Sequence, residues 1–375
     1  MKVSVVRPQE LGREELASWR TMQGSHRALA NPFLSPDFTL AVARVRPTSR
    51  VAVLEEGRDV AGFLPFDQGR LRVGRALAPG VADCQAVIHA PGFEWNAQEL
   101  LKGCRLEVWE FGHLIAEQMA SAGRHVVAHN SPIMDMPQGY EAYLAERQRT
   151  SKKIFKSTFS KLRKLDRDAG ATSFEFDAKD PQALGVLMRW KSAQYRRTGH
   201  RDRFGVPWIE RLVWELFEAP ADGCAGTLSV LRSERRVVAA HFGLRSASSL
   251  CCWFPAYDIA LAKYSPGLSL HLKMAEQAAA AGIQYLDLGK GEEDYKQSLK
   301  NGDLIVGEGW IDRPSAAALA RRIQQAPRRF VVSHPPLRRA VRRVLKQVTS
   351  VRTERVSPEQ AKLGGSQVSD SGATS

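Results

Sequence analysis

Apolar and polar residues alternate over Lys2–Arg7, which predicts an opening strand. Residues 9–23 carry Leu11, Leu16 and Trp19 on one helical face. Ser35-Pro36-Asp37 combines an N-cap residue with a first-turn proline, so a second helix starts there. Arg50–Glu55 and Asp59–Phe66 flank the turn Glu56-Gly57-Arg58 and read as a hairpin. Short strands are expected around 70–77, 105–111 and 124–129.

The pattern then changes period. Phe155, Phe159 and Leu162 fall at i, i+4, i+7, with Lys152, Lys156, Arg163 and Arg167 on another face, which predicts one amphipathic helix over 147–168 that stops at Gly170. A strand (Thr172–Phe176) and helices over Asp180–Arg197 and Pro207–Phe217 follow. Ala225–Leu231 and Arg235–Leu244 pair across Ser233-Glu234, and Leu250–Tyr257 makes a three-strand meander. Tyr264–Ala281 is a helix ended by Gly282, with Leu268, Leu272, Ala275 and Ala279 as its buried stripe. Strands at Gln284–Leu288 and Leu304–Ile311 complete the order.

Composition divides the chain into residues 1–146, 147–312, a basic helical extension at 313–349 and a polar tail at 350–375 expected to be disordered. A chain of 375 residues with 43% hydrophobic content holds a packed core and about two domains. Five cysteines without paired spacing give neither a disulfide scaffold nor a zinc site. No 20-residue apolar run and no signal-type start are present, so a cytoplasmic chain is expected. The net charge of +14 is concentrated: residues 147–167 carry +8 and residues 313–349 carry +10, leaving the rest mildly acidic. That distribution argues against a general nucleic-acid surface. It favours one basic helix beside an anionic substrate and a C-terminal stretch suited to the anionic inner face of a membrane.

Tyr264-Ser265-Pro266-Gly267-Leu268 opens a helix directly after a strand. Ser265 suits the cap, Pro266 the first turn and Gly267 a close approach, so the turn fits a phosphate as well as a plain structural cap. Asp287-Leu288-Gly289-Lys290-Gly291-Glu292-Glu293-Asp294-Tyr295-Lys296 packs four acids, a tyrosine and two lysines into ten residues. It offers proton donors and acceptors, and equally reads as a polar surface loop. His241 sits mid-strand with Val237, Ala239 and Gly243 on one face and Val238, Ala240, Phe242 and Leu244 on the other, a pattern for a strand buried on both sides. There it serves as a core histidine or a base. Trp190, Lys191 and Tyr195 lie near a helix C-terminus, where cations suit the dipole or an anionic ligand.

The spaced set Trp253-Phe254, Tyr257-Asp258, Lys263 to Gly267, Leu286 to Gly291 and Asp294 to Lys296 resembles the CelD/BcsL family, GNAT-type acyltransferases of bacterial cellulose and exopolysaccharide synthesis. The resemblance spans about residues 140–312. It also extends to the FemAB aminoacyltransferases, which pair two GNAT-like halves. It implies an α+β GNAT fold in two tandem halves and acyl-CoA, acetyl-CoA above all, as donor without a metal. The Gly-rich pyrophosphate loop of GNAT enzymes is absent, and Tyr264–Leu268 stands in its place. By this resemblance Trp253, Phe254, Tyr257, Tyr264, Ser265, Pro266, Gly267 and Leu268 bind the donor. Trp190, Lys191, Tyr195, Asp258, Glu292 and Asp294 meet the acceptor, a small or lipid-linked saccharide. His241 or Asp287 acts as base, Tyr295 as acid, and Lys296 holds a phosphate or the substrate. Two other functions fit the same residues: a FemAB-like transfer from aminoacyl-tRNA, with the basic helix on RNA, and a non-catalytic basic adaptor on a degenerate fold.

Overall fold

The computed structural model describes residues 1–315 apart from 124 and 220–222. The expected extension at 313–349 and tail at 350–375 lie, beyond residue 315, outside the described residues. The first half runs β1 (Lys2–Val6), α1 (Arg13–Gly24), α2 (Pro36–Val45), β2 (Ser49–Glu56), β3 (Asp59–Gln68), β4 (Val73–Ala76), the two-residue β5 (Ile88–His89), α3 (Ala97–Gly103), β6 (Val108–Ile115), α4 (Met119–Ala122) and β7 (Val126–Asp135). Helices α5 (Tyr140–Thr150) and α6 (Lys152–Ala169) follow. The second half runs β8 (Thr172–Glu175), α7 (Pro181–Arg197), α8 (Pro207–Glu218), β9 (Ala225–Ser233), β10 (Arg236–Arg245), β11 (Ser249–Tyr257), α9 (Pro266–Ala280), β12 (Tyr285–Asp287), α10 (Asp294–Leu299) and β13 (Gly302–Asp312).

Leaving β5 aside, both halves follow one plan: strand, two helices, three strands, helix, strand, helix, strand. Local chemistry starts the helices where the sequence indicated. Ser35 Oγ accepts the Phe38 N–H, and Asp180 Oδ1 accepts those of Gln182 and Ala183, each cap followed by proline. The single helix expected over 147–168 is instead two. The backbone turns at Ser151 (φ −134°), where Arg147 donates to Ser151 Oγ at 2.8 Å and to the Ser298 carbonyl at 2.9 Å, so a tertiary contact fixes the break. Phe155 is buried while Lys152, Lys156, Arg163 and Arg167 face solvent, as the periodicity predicts. On α9 the burial differs from the expected stripe: Leu272 and Ala275 are buried together with Leu270, Met274 and Ala278, whereas Leu268 and Ala279 are only half-buried.

One mixed sheet joins the halves, in the order β1-β2-β3-β4-β6-β13-β7-β12-β11-β10-β9-β8, with β5 beside β3. The final strands are exchanged. β7 pairs antiparallel with β12 of the second half, β13 with β6 of the first, and β7 and β13 pair with each other at the centre. A core of Trp19, Phe33, Phe38 and Phe63 from the first half and Leu184, Leu212, Phe242 and Trp253 from the second is continuous across the junction.

Each half contains one short parallel pair. In the second, β11 and β12 pair only from Ser249↔Tyr285 to Cys251↔Asp287. Beyond that the strands part, and β11 runs on through Cys252–Tyr257 with β10 on one edge and, among the described residues, no strand on the other. In the first half β4 and β6 likewise pair only from Val73↔Val108 to Arg75↔Glu110. There the gap is filled by the chain itself. Gln85 N–H donates to the His113 carbonyl (2.9 Å), the Ile115 N–H to the Gln85 carbonyl (3.0 Å), and Gln85 Oε1 accepts from Gly112 and His113. Gln118 then brackets Val87 with bonds to its N–H and its carbonyl.

Candidate active site

The open edge of β11 organises the site. Pro255 carries no N–H, and its carbonyl accepts Lys191 Nζ from α7 at 3.1 Å. Lys191 also stands over the Tyr195 ring at 5.3 Å. Burial, with Arg203 and Lys296 nearby, lowers its pKa to about 8. Trp190 packs against the shared core.

His241 is fully buried on β10, and a bulge between Phe242 and Gly243 interrupts the simple alternation of faces. A Cβ on Gly243 would lie 2.5 Å from His241 Cε1, so glycine gives the ring its room. His241 Nε2 accepts the Trp253 N–H at 3.2 Å. His271, on α9, meets the Gly267 carbonyl through Nδ1 at 2.7 Å. A backbone N–H only donates and a carbonyl only accepts, so both neutral rings carry their proton on Nδ1. The rings are 6.2 Å apart, and Tyr295 lies 5.5 Å from His271. Burial depresses both imidazoles and holds the Tyr295 hydroxyl protonated.

The β12–α10 loop is built inward. Asp287 Oδ1 accepts the Ser131 hydroxyl (2.7 Å) and the Gly289 N–H (2.9 Å), and burial raises its pKa. Lys296 is buried, donates to the carbonyls of Gly289 (3.0 Å) and Lys290 (3.3 Å), and pairs with Glu293 at 3.1 Å. It therefore clamps the loop. Lys290 reaches Glu308 on β13 at 2.7 Å. Glu292 and Asp294 lie on the exposed side of the same loop.

The turn before α9 differs from a simple cap. Ser265 is left-handed (φ 52°, ψ 48°) and its side chain makes no cap bond; its Oγ instead accepts Lys161 Nζ from α6 at 2.9 Å. The basic helix thus borders this turn. Pro266 has no N–H, and Leu268 and Ser269 both donate to the Ser265 carbonyl, so among the described residues the Gly267 N–H donates to no backbone carbonyl. Tyr257, 39% exposed, lies over Gly267, where a Cβ would stand 3.4 Å from its ring. Tyr264 is buried and donates to Asp168 at 2.7 Å. Asp258 caps the short 3-10 turn Ile259–Tyr264 and pairs with Arg236, a positioning role rather than an open acceptor contact. Trp253 and Phe254 also depart from the expected donor contact. Their rings stack at 4.7 Å inside the core, so β11 turns backbone rather than aromatic faces to the gap.

The structure adds His271, Asp83, His113 and Arg203 to the residues singled out by sequence. His271 stands one helical turn after Gly267, a spacing readable in advance. The other three meet through the fold alone. Asp83 Oδ1 is 3.7 Å from His113 Nε2, and its pKa is raised to about 6 by burial, against Arg203, Lys296 and Lys290. Burial, then Lys290, lowers His113 to about 4. Among the described residues no group of three or more His, Cys, Asp or Glu side chains is placed to hold a metal, and no helix is long and apolar enough to cross a membrane.

Residues 152–297 match the family described as acetyltransferase (GNAT) domain. No curated protein matches the chain. Among solved structures it is similar to FemX, with 11% identity over 87% of this chain and 100% of that one at a TM-score of 0.55. It is also similar to the C-terminal domain of a protein described as a lysylphosphatidylglycerol synthetase from Agrobacterium fabrum (13%, 77% and 91%, TM-score 0.51). A conserved protein of unknown function from Bacteroides thetaiotaomicron gives 12%, 79% and 97%, with a TM-score of 0.52. The fold is that of the GNAT acyltransferases with two GNAT-like halves in tandem, and the chain is an enzyme of that class.

Proposed function

We propose that the chain transfers an acyl group from acyl-CoA, acetyl-CoA in the first instance, to an amine or hydroxyl of a sugar or polysaccharide precursor. The reading rests on one contrast: the gap beside β11 is open, whereas the equivalent gap beside β6 is filled by Gln85 and its neighbours. An extended pantetheine arm, with its amides, suits an open strand edge as a missing neighbour would. The pyrophosphate then falls at Gly267, where a helix start and Lys161 oppose its charge. Holding donor and acceptor side by side supplies much of the rate, and Tyr295, kept protonated by burial, is the proposed donor of a proton to the leaving thiolate. His241 and Asp287, 0% and 4% exposed, are enclosed. Lys296 keeps the loop in position.

Calorimetry with acetyl-CoA and CoA tests this. Binding to the full chain is expected, and its absence refutes the donor assignment. The saccharide acceptor of CelD/BcsL type, and peripheral attachment to an anionic membrane through residues 313–349, belong to the same proposal; liposome sedimentation checks the second. The exposed basic face of α6 supports one other donor, aminoacyl-tRNA. Nuclease-sensitive absorbance at 260 nm in the purified chain would favour it.

A further inference from the structure

The site between β11 and β12 has a wall supplied by the first half. The segment before the filled gap is tied down at Val81, whose carbonyl accepts Trp253 Nε1–H at 2.6 Å, and at Ala82, whose carbonyl accepts Gln85 Nε2 at 2.9 Å. Asp83 lies between these anchors and the filling strand. Its side chain is 30% exposed, and among the described residues its carboxylate accepts no hydrogen bond. The point that a Cβ on Gly289 would occupy lies 3.9 Å from Asp83 Oδ2 and 4.0 Å from Lys296 Nζ. Asp83 therefore borders the loop that closes the parted strands.

We propose that Asp83 is the general base of the transfer, the residue that takes the proton from the attacking group of the acceptor. This rests on the acyl-transfer reading and names the residue which that reading leaves open. The alternatives are committed elsewhere. Asp287 is enclosed and already accepts two hydrogen bonds, and His241 is enclosed with its Nε2 occupied. Unlike these two, Asp83 combines an ionisable carboxylate, access and, among the described residues, free lone pairs beside the loop.

The step balances simply. The acceptor heteroatom attacks the thioester carbon while its proton moves to Asp83; the new carbon–heteroatom bond forms and the carbon–sulfur bond breaks. The electron pair leaves on sulfur, and the proton passes on from Asp83, so the products are acylated acceptor and free thiol. The groups facing Asp83 come from several elements: His113 on β6, Tyr195 on α7, Arg203 after it, Asp287 on β12, Lys290 in the loop and Lys296 on α10. The three cations hold the carboxylate ionised, while enclosure opposes them. The outcome, about 6, suits a base that works at neutral pH.

The test follows thiol release from acetyl-CoA by the full chain, with water as acceptor, between about pH 5 and 9. Asp83→Asn is expected to slow turnover about 100-fold with the KM for acetyl-CoA little changed, and to remove the acidic limb near pH 6. Asp83→Ala is expected to regain part of its rate when formate is added, which a structural role would not allow. Unchanged turnover in Asp83→Asn, retention of the limb, or no rescue by formate overturns the assignment. So does a wild type that binds acetyl-CoA but releases no thiol. Failure of the wild type to bind acetyl-CoA overturns the acyltransferase reading itself, and the assignment with it.

Discussion

The indole N–H of Trp253 donates to the Val81 carbonyl at 2.6 Å, across 172 residues of sequence. One bond thus ties the open-edged strand of the second half to the segment of the first half that bears Asp83. The Trp253 ring lies in the core rather than facing a donor, and its N–H links the two walls of the site.

Trp253→Phe keeps an aromatic ring but leaves the buried Val81 carbonyl unpaired. A stability loss of about 1–3 kcal/mol is expected, read as a lower denaturation midpoint. Turnover should fall while the affinity for acetyl-CoA holds. A variant with lost affinity and intact turnover would contradict this role.

Gly267→Leu fills the turn before α9. The backbone there needs no unusual φ and the nearest atoms belong to the Tyr257 ring, so the fold should survive. Acetyl-CoA affinity should drop about tenfold or more, equal to about 1.4 kcal/mol. Titration calorimetry decides it, and unchanged affinity would move the pyrophosphate elsewhere.

Lys296→Met removes the clamp on the Gly289–Glu293 loop. Two carbonyls lose their donor, at a cost of about 2 kcal/mol. Protease cleavage within 288–293 should rise, and turnover should fall more than donor binding. Equal protease resistance in the two proteins would show that Lys296 is dispensable to the loop.

The pH dependence of stability has a definite sign at Asp83. Its folded pKa, about 6, lies above the unfolded value of 3.8, so the folded state binds the proton first as pH falls. The cost of enclosing the charge is complete above pH 6 and fades between 6 and 3.8. Asp83→Asn should therefore be more stable than wild type at neutral pH, by about 1–2 kcal/mol after allowance for solvent screening, and should lose that advantage near pH 4. His113, lowered to about 4, destabilises both proteins as pH falls from 6.5, so the difference between them is the quantity to measure. An advantage that grows on acidification would reverse the assignment.

Much of this architecture is legible in the sequence because its signals are local. Alternation marks β2, β3, β9, β10 and β11, and caps at Ser35 and Asp180 mark α2 and α7. The break at Ser151 is not legible, because Arg147 is held by Ser298, far along the chain. Ser265 has the right residue type for a cap, yet a lysine from α6 claims its hydroxyl. Asp83 has no neighbouring motif at all; only the approach of Gly289 and His113 gives it meaning. The acidic loop was visible as a cluster, but its inward half (Asp287, Lys296) and outward half (Glu292, Asp294) separate only in three dimensions.

The exchange of β7 and β13 also sets a schedule. Paired with β4 on one edge, β6 has no partner strand on its other edge until residues 302–312 have been made, since β13 slots between β6 and β7. A nascent chain shorter than that carries an unpaired central edge, a sticky template for other strands. Separately expressed halves would share the defect and would have to complete each other.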